Sequence, residues 1–104
     1  GVIFFRYKYN KSILRTEHGK CFVCGSSTET ARHEVFYGTA NRKISKKLGL
    51  WINICPTCHN KVHSDCEIDL MLKKLAQVEY LKTHDITEFM DIKNGIGKNY
   101  LDEY

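Results

Sequence analysis

The sequence predicts a small α+β domain stapled by one cysteine-rich metal site, with helices added at its C-terminal end. Three observations carry this. Two Cys-x-x-Cys pairs, Cys21/Cys24 in "CFVCG" and Cys55/Cys58 in "CPTC", stand thirty residues apart. Short β-branched and aromatic stretches flank the insert between them. Beyond Ser64 the apolar residues fall into a helical period. At 104 residues, with 42% hydrophobic and 27% charged residues, the chain suits a single domain over 1–104. It opens on Gly1, which leaves open whether it is a piece of a longer protein.

The elements follow in order. Residues 1–15, "GVIFFRYKYNKSILR", alternate partly between aromatic and polar residues and predict an N-terminal strand or extended arm. The first knuckle comes next, with Gly25 placed for the tight turn after Cys24. A polar loop leads to a short strand around Arg32 to Tyr37. "YGTANRKISKKLG" is polar and basic and reads as loop with one helical turn. "LWINIC", residues 50–55, is a second strand, and Pro56 suits the first turn of a helix. This knuckle core spans 21–63. In the 64–104 extension, Ile68, Leu72, Leu75 and Val78 predict the apolar stripe of an amphipathic helix. Asp85 or Thr87 caps a last short helix that Gly95 ends.

The nine residues "CPTCHNKVH", 55–63, hold four metal-ligand side chains. Structural zinc takes four ligands tetrahedrally, and Cys21, Cys24, Cys55 and Cys58 fill that set. A two-residue gap lets each pair grip an ion from one turn. Cys66 is left as a free thiol. With four sulfurs committed, His59 and His63 have no place on that ion. On a helix they share a face with side chains about 6 Å apart, a geometry suited to a second metal. Two ligands hold a divalent ion poorly, so a third comes from His33, Glu34, Asp65, Asn41 or Asn53. The plain alternative is two histidines on a solvated face. His18, His84 and Trp51 read as ordinary surface and core residues.

Charge is uneven. Residues 1–63 carry eleven Lys/Arg against three acids, whereas 64–104 carry five Lys against nine acids. A basic half points to a polyanionic partner. No apolar run approaches the ~20 residues of a membrane span, and "VIFF" is too short for a signal-peptide core. An intracellular, cytoplasmic protein that makes no membrane contact is the expectation.

The stretch "RHEVFYGTANRKISKKLGLWINICPTCHNKVH", residues 32–63, bracketed by paired cysteines, resembles the HNH endonucleases of ββα-metal fold, in particular small phage-type members. "GIGKNYL" at 95–101 resembles that group's C-terminal end. The resemblance implies a ββα-metal core, a bacterial or phage origin, and metal-dependent hydrolysis of DNA phosphodiesters with low sequence preference, by nicking or cutting duplex. It implies a structural zinc and a catalytic divalent ion such as Mg²⁺. Carried over by position, His33, His59 and His63 would hold the catalytic ion. Glu34 stands where the family has its histidine base, so either Glu34 is the base, or His33 is the base and Glu34 a ligand. The family's asparagine falls at Leu50. Arg42, Lys43, Lys46, Lys47 and Lys61 would contact phosphates, Arg42 foremost because its planar fork can clamp one bidentately. Phage DNA-packaging or recombination proteins are implied as partners, and oligomeric state is left open. A zinc-stabilised DNA-binding module with a decayed catalytic centre is the alternative. A protein-interaction zinc domain docking through its acidic half is a third reading.

Overall fold

The computed structural model describes residues 10–101, so the part of the N-terminal arm at residues 1–9 lies outside the described residues. Two antiparallel strands, β1 (Ala31–Glu34) and β2 (Trp51–Ile54), form the sheet. Between them lies α1 (Thr39–Leu48), and after them come α2 (Pro56–Ser64), α3 (Cys66–Leu81) and α4 (Ile86–Met90). This is a small α+β fold with a two-stranded sheet, several helices and a cluster of four cysteines. No helix among the described residues is long and apolar enough to cross a membrane.

The register pairs Ala31 with Ile54, Arg32 with Asn53, His33 with Ile52 and Glu34 with Trp51. Side chains alternate across a strand, so His33, Ile52 and Ile54 share the inward face while Arg32, Trp51 and Asn53 share the other. Ile52 and Ile54 join Val35, Phe36, Leu50, Val62, Leu72, Ala76, Tyr80 and Phe89 in one core. On the outer face the Arg32 guanidinium lies 4.6 Å from the Trp51 ring centre. Residues 10–15 form no strand. They run as an arm beside β2 and α1: Ile13 N donates to Gly49 O at 2.9 Å, Trp51 Nε1 to Asn10 O at 2.8 Å and Ser12 Oγ to Trp51 O at 2.6 Å. Gly49 makes this approach possible. Its φ is 74°, and a Cβ there would collide with the Lys11 carbonyl.

The segment expected to be loop with one helical turn is instead the ten-residue α1. Its polar composition hides an inner side on which Ser45 is buried and Ile44 and Leu48 pack half-buried against the core. Gly49 closes the helix in the left-handed conformation, with its N–H bonded to Ser45 O. Ser45 is fully buried and locks α1 to the chain after β1. Its hydroxyl donates to Phe36 O at 2.7 Å and accepts from Phe36 N at 3.2 Å.

The stripe of α3 is also corrected. The face against the core is Ile68, Leu72, Ala76 and Tyr80, spaced by four, whereas Leu75 and Val78 are 40% and 42% exposed. The helix is turned by the company Gln77 keeps. Fully buried, Gln77 donates to Asn99 Oδ1 at 2.7 Å and accepts from Tyr100 N at 2.8 Å, fixing the C-terminal segment on α3. Tyr100 and Phe89 then pack on Phe36, with ring centres 5.4 and 5.6 Å away. In α4, Asp85 and Glu88 form the reciprocal capping box. The chain folds back so that a Cβ on Gly95 would strike the Glu88 carbonyl.

Candidate functional site

Two separate clusters of ligand side chains draw on α2. The first is made by the two knuckles. Cys21 and Cys24 sit on a turn closed by Gly25 N donating to Cys21 O at 2.9 Å, with Gly25 at φ 76°. Cys55 caps the start of α2, and its sulfur accepts from Cys58 N at 3.4 Å. In the same way, Cys24 N points at Cys21 Sγ at 3.5 Å. The four sulfurs lie within 4.8 Å of one another and could hold a structural metal such as zinc.

Their electrostatics agree with a cation. Burial works to raise the Cys21 thiol, but the amides of Cys24, Cys55 and Val23 more than offset this and hold it at about 6. Cys58 is pushed up to about 12 by burial and by the neighbouring sulfurs. Four thiolates cannot share this space unless positive charge is placed among them. Cys66 is exposed and lies outside the cluster.

The second cluster joins β1 to α2. His59 and His63 stand one turn apart on α2, and His33 projects from the inward face of β1. One ring nitrogen of each lies within 4.8 Å of those of the others. The ring centres are 5.1 Å apart for His33–His59, 5.8 Å for His33–His63 and 4.8 Å for His59–His63. His33 is 4% exposed, and its Nε2 is buried without a hydrogen-bond partner. Burial, then the adjoining His59 and His63, hold its pKa down at about 4. Burial and His63 also lower His59, against an opposing pull from Glu34. The His33 ring is therefore neutral near pH 7 and has a lone pair to give a metal, as ligating histidines must. Three converging imidazoles fit a divalent ion.

These histidines open into a cavity of about 300 Å³ lined also by Arg32, Glu34, Tyr37 and Arg42. Strand alternation should send Glu34 away from His33, but β1 ends at Glu34 and both residues line the same cavity. Glu34 Oε1 lies 3.7 Å from Arg42 Nε, which α1 delivers to the rim. Of the five candidate third ligands, only His33 belongs to the cluster. Asp65 caps α3, with its side chain accepting from Glu67 N at 2.9 Å. Asn41 and Asn53 lie outside the cavity wall, and Asn53 ties β2 to the knuckle through Phe22 N and Thr16 Oγ1. Lys43, Lys46, Lys47 and Lys61 lie on α1 and α2 and do not line the cavity. His18 and His84 are exposed, and His84 stacks on Tyr80 at 4.2 Å.

The sequence reading missed Tyr37, Asp69 and Lys73. Tyr37 lies 6.1 Å from His33 and 5.8 Å from His63, ring centre to ring centre. Lys73 Nζ stands 4.5 Å from the Tyr37 ring centre and 2.8 Å from Asp69 Oδ2. Tyr37 follows the strand that carries His33, which was a signal available in the sequence. Asp69 and Lys73 reach the site only through tertiary packing of α3. Comparison with the sequence patterns of known families, with curated proteins and with solved structures finds no match to this chain.

Proposed function

We propose that the protein is a metal-dependent DNA endonuclease of HNH type, with β1, β2 and α2 as a ββα-metal core. The convergence of His33, His59 and His63 on a cavity that also holds Glu34 and Arg42 carries this reading. His33, His59 and His63 would hold the catalytic ion, and Cys21, Cys24, Cys55 and Cys58 the structural zinc. A divalent ion there would neutralise phosphate charge and stabilise the departing oxyanion. Three imidazoles suit zinc, nickel or iron better than Mg²⁺, which prefers oxygen ligands.

The chain's own residues supply the rest. Arg42, 3.7 Å from Glu34 at the cavity rim, clamps the phosphate beside the scissile bond. Glu34 then accepts the proton of the attacking water, since His33 is committed as a ligand. Lys43, Lys46, Lys47 and Lys61, outside the cavity, contribute the sequence-independent attraction that a DNA backbone feels.

One observation favours the second reading, a DNA-binding module with a decayed centre. Leu50, at the family's asparagine position, is fully buried in the core, and its aliphatic side chain has no polar group to offer the site. Supercoiled-plasmid cleavage with Mg²⁺, Mn²⁺, Ni²⁺ and Zn²⁺ in turn separates the two. The nuclease reading expects nicked circles from the wild type and none from His59→Ala. Intact plasmid under every metal, with retarded migration at low salt, overturns it in favour of the binding module.

A further inference from the structure

Among the described residues, two buried side-chain polar atoms have no hydrogen-bond partner: His33 Nε2 and Asp69 Oδ1. They belong to one network. Asp69 lies on α3, and its other oxygen is 2.8 Å from Lys73 Nζ, in a pair whose side chains are 14% and 16% exposed. Lys73 in turn lies over the Tyr37 ring, which packs on His33 and His63. The Tyr37 hydroxyl is raised in pKa, first by burial and then by hydrogen bonding to Asp69. Asp69 is also close enough for its charge to favour protonation of His33, against the burial that opposes it.

A buried carboxylate oxygen without a donor is costly unless it is used. A ligating histidine gives one ring nitrogen to its metal and keeps an N–H on the other. That N–H is commonly held by a carboxylate, which fixes the ring and strengthens its donor nitrogen. His33 is buried to 4% exposure, so water is poorly placed to take that role. The remaining polar side chains of the network are already engaged with one another.

We infer that Asp69 is a positioning residue for the histidine cluster: with an ion bound, its unpaired Oδ1 accepts the ring N–H that His33 does not spend on the metal, while Lys73 and Tyr37 hold the carboxylate in place. The inference rests on the metal-site reading above and extends the site to α3, outside the strand–strand–helix core. Lys73 balances the carboxylate, and the Tyr37 ring packs on His33 and His63.

The test is a Co²⁺ titration of full-length protein that keeps zinc on its cysteines, read by the visible absorption of nitrogen-coordinated cobalt. Wild type, Asp69→Asn and Lys73→Met are compared, with melting temperature and retained zinc as controls. The expected result is one Co²⁺ site in the wild type, weakened about 10–100-fold in Asp69→Asn and only a few-fold in Lys73→Met. Equal weakening in both variants would mean that the ion pair merely supports the fold, and would overturn the inference. Unchanged affinity in Asp69→Asn would overturn it too, while leaving the metal-site reading intact. No Co²⁺ uptake by the wild type would overturn both. Should Asp69→Asn fail to fold, ¹⁵N spectra of wild-type protein carrying Zn²⁺ on the histidines decide. A downfield, slowly exchanging His33 ring N–H supports the inference, and one exchanging freely with water overturns it.

Discussion

Replacing Ser45 by alanine tests how the polar helix α1 is held against the site. The substitution removes one hydroxyl that serves Phe36 twice, donating to its carbonyl at 2.7 Å and accepting from its amide at 3.2 Å. Ser45 is 0% and Phe36 1% exposed, so water cannot take over. Losing a hydrogen bond and leaving its buried partner unsatisfied costs about 1–3 kcal/mol. Two such groups share one small site, so their costs are not fully additive. Alanine returns a few tenths of a kcal/mol through helix propensity. The net expectation is a loss of about 2–3 kcal/mol, which in a domain of this size lowers the melting temperature by roughly 10–20 °C. Thermal unfolding at fixed free zinc measures it. A fall of less than about 2 °C would refute the reasoning, since it would mean that Phe36 finds other partners or that α1 docks without Ser45.

Removing a thiolate, as in Cys21→Ser or Cys58→Ser, or stripping zinc with a chelator, should unfold the domain, because structural metal contributes folding energy directly; an unchanged melting temperature would contradict the four-cysteine site. His33 has a pKa of about 4 when folded and 6.5 when free. The unfolded chain therefore binds more protons between those values, and stability should fall as pH drops from about 6.5 towards 4, by up to about 2–3 kcal/mol. Urea unfolding at pH 7 and pH 5, without metal on the histidines, should show this loss in the wild type and not in His33→Phe; parallel profiles would contradict it. Arg42→Ala should weaken DNA binding similarly across sequences and reduce the salt slope by about one. An unchanged slope would take Arg42 out of the phosphate contact.

The paired cysteines gave a strong local signal and the histidine pair a weaker one. A Cys-x-x-Cys pair is gripped by one turn, and a four-residue histidine spacing is fixed by the helix, so sequence neighbours stay neighbours in space. The third histidine was one name among five, because which residue of a distant strand reaches α2 depends on register. The sheet pairs His33 with Ile52 and turns it inward. What stayed hidden depends on tertiary context. The helix α1 was hidden by its polar and basic composition, although the few apolar residues of "TANRKISKKL" fall to one side, with Ile44 and Leu48 four apart beside the buried Ser45. The α3 stripe was misplaced because Leu75 and Val78 are more apolar than Ala76 and Gln77. Gln77 nevertheless wins the interior, since Asn99 and Tyr100, more than twenty residues on, satisfy its amide. Asp69 and Lys73 look in sequence like one solvated helical ion pair. Only the packing of α3 under Tyr37 brings them to the histidines.

Central to the proposed function is a metal site formed by His33, His59 and His63 and separate from the cysteines. Counting ions tests it most directly: zinc-loaded protein is dialysed against Ni²⁺ and analysed for both metals, beside His33→Ala and His63→Ala. One zinc and one nickel per wild-type chain, with zinc alone in either variant, is the predicted result. Zinc alone in the wild type, or nickel retained without His33, would contradict it.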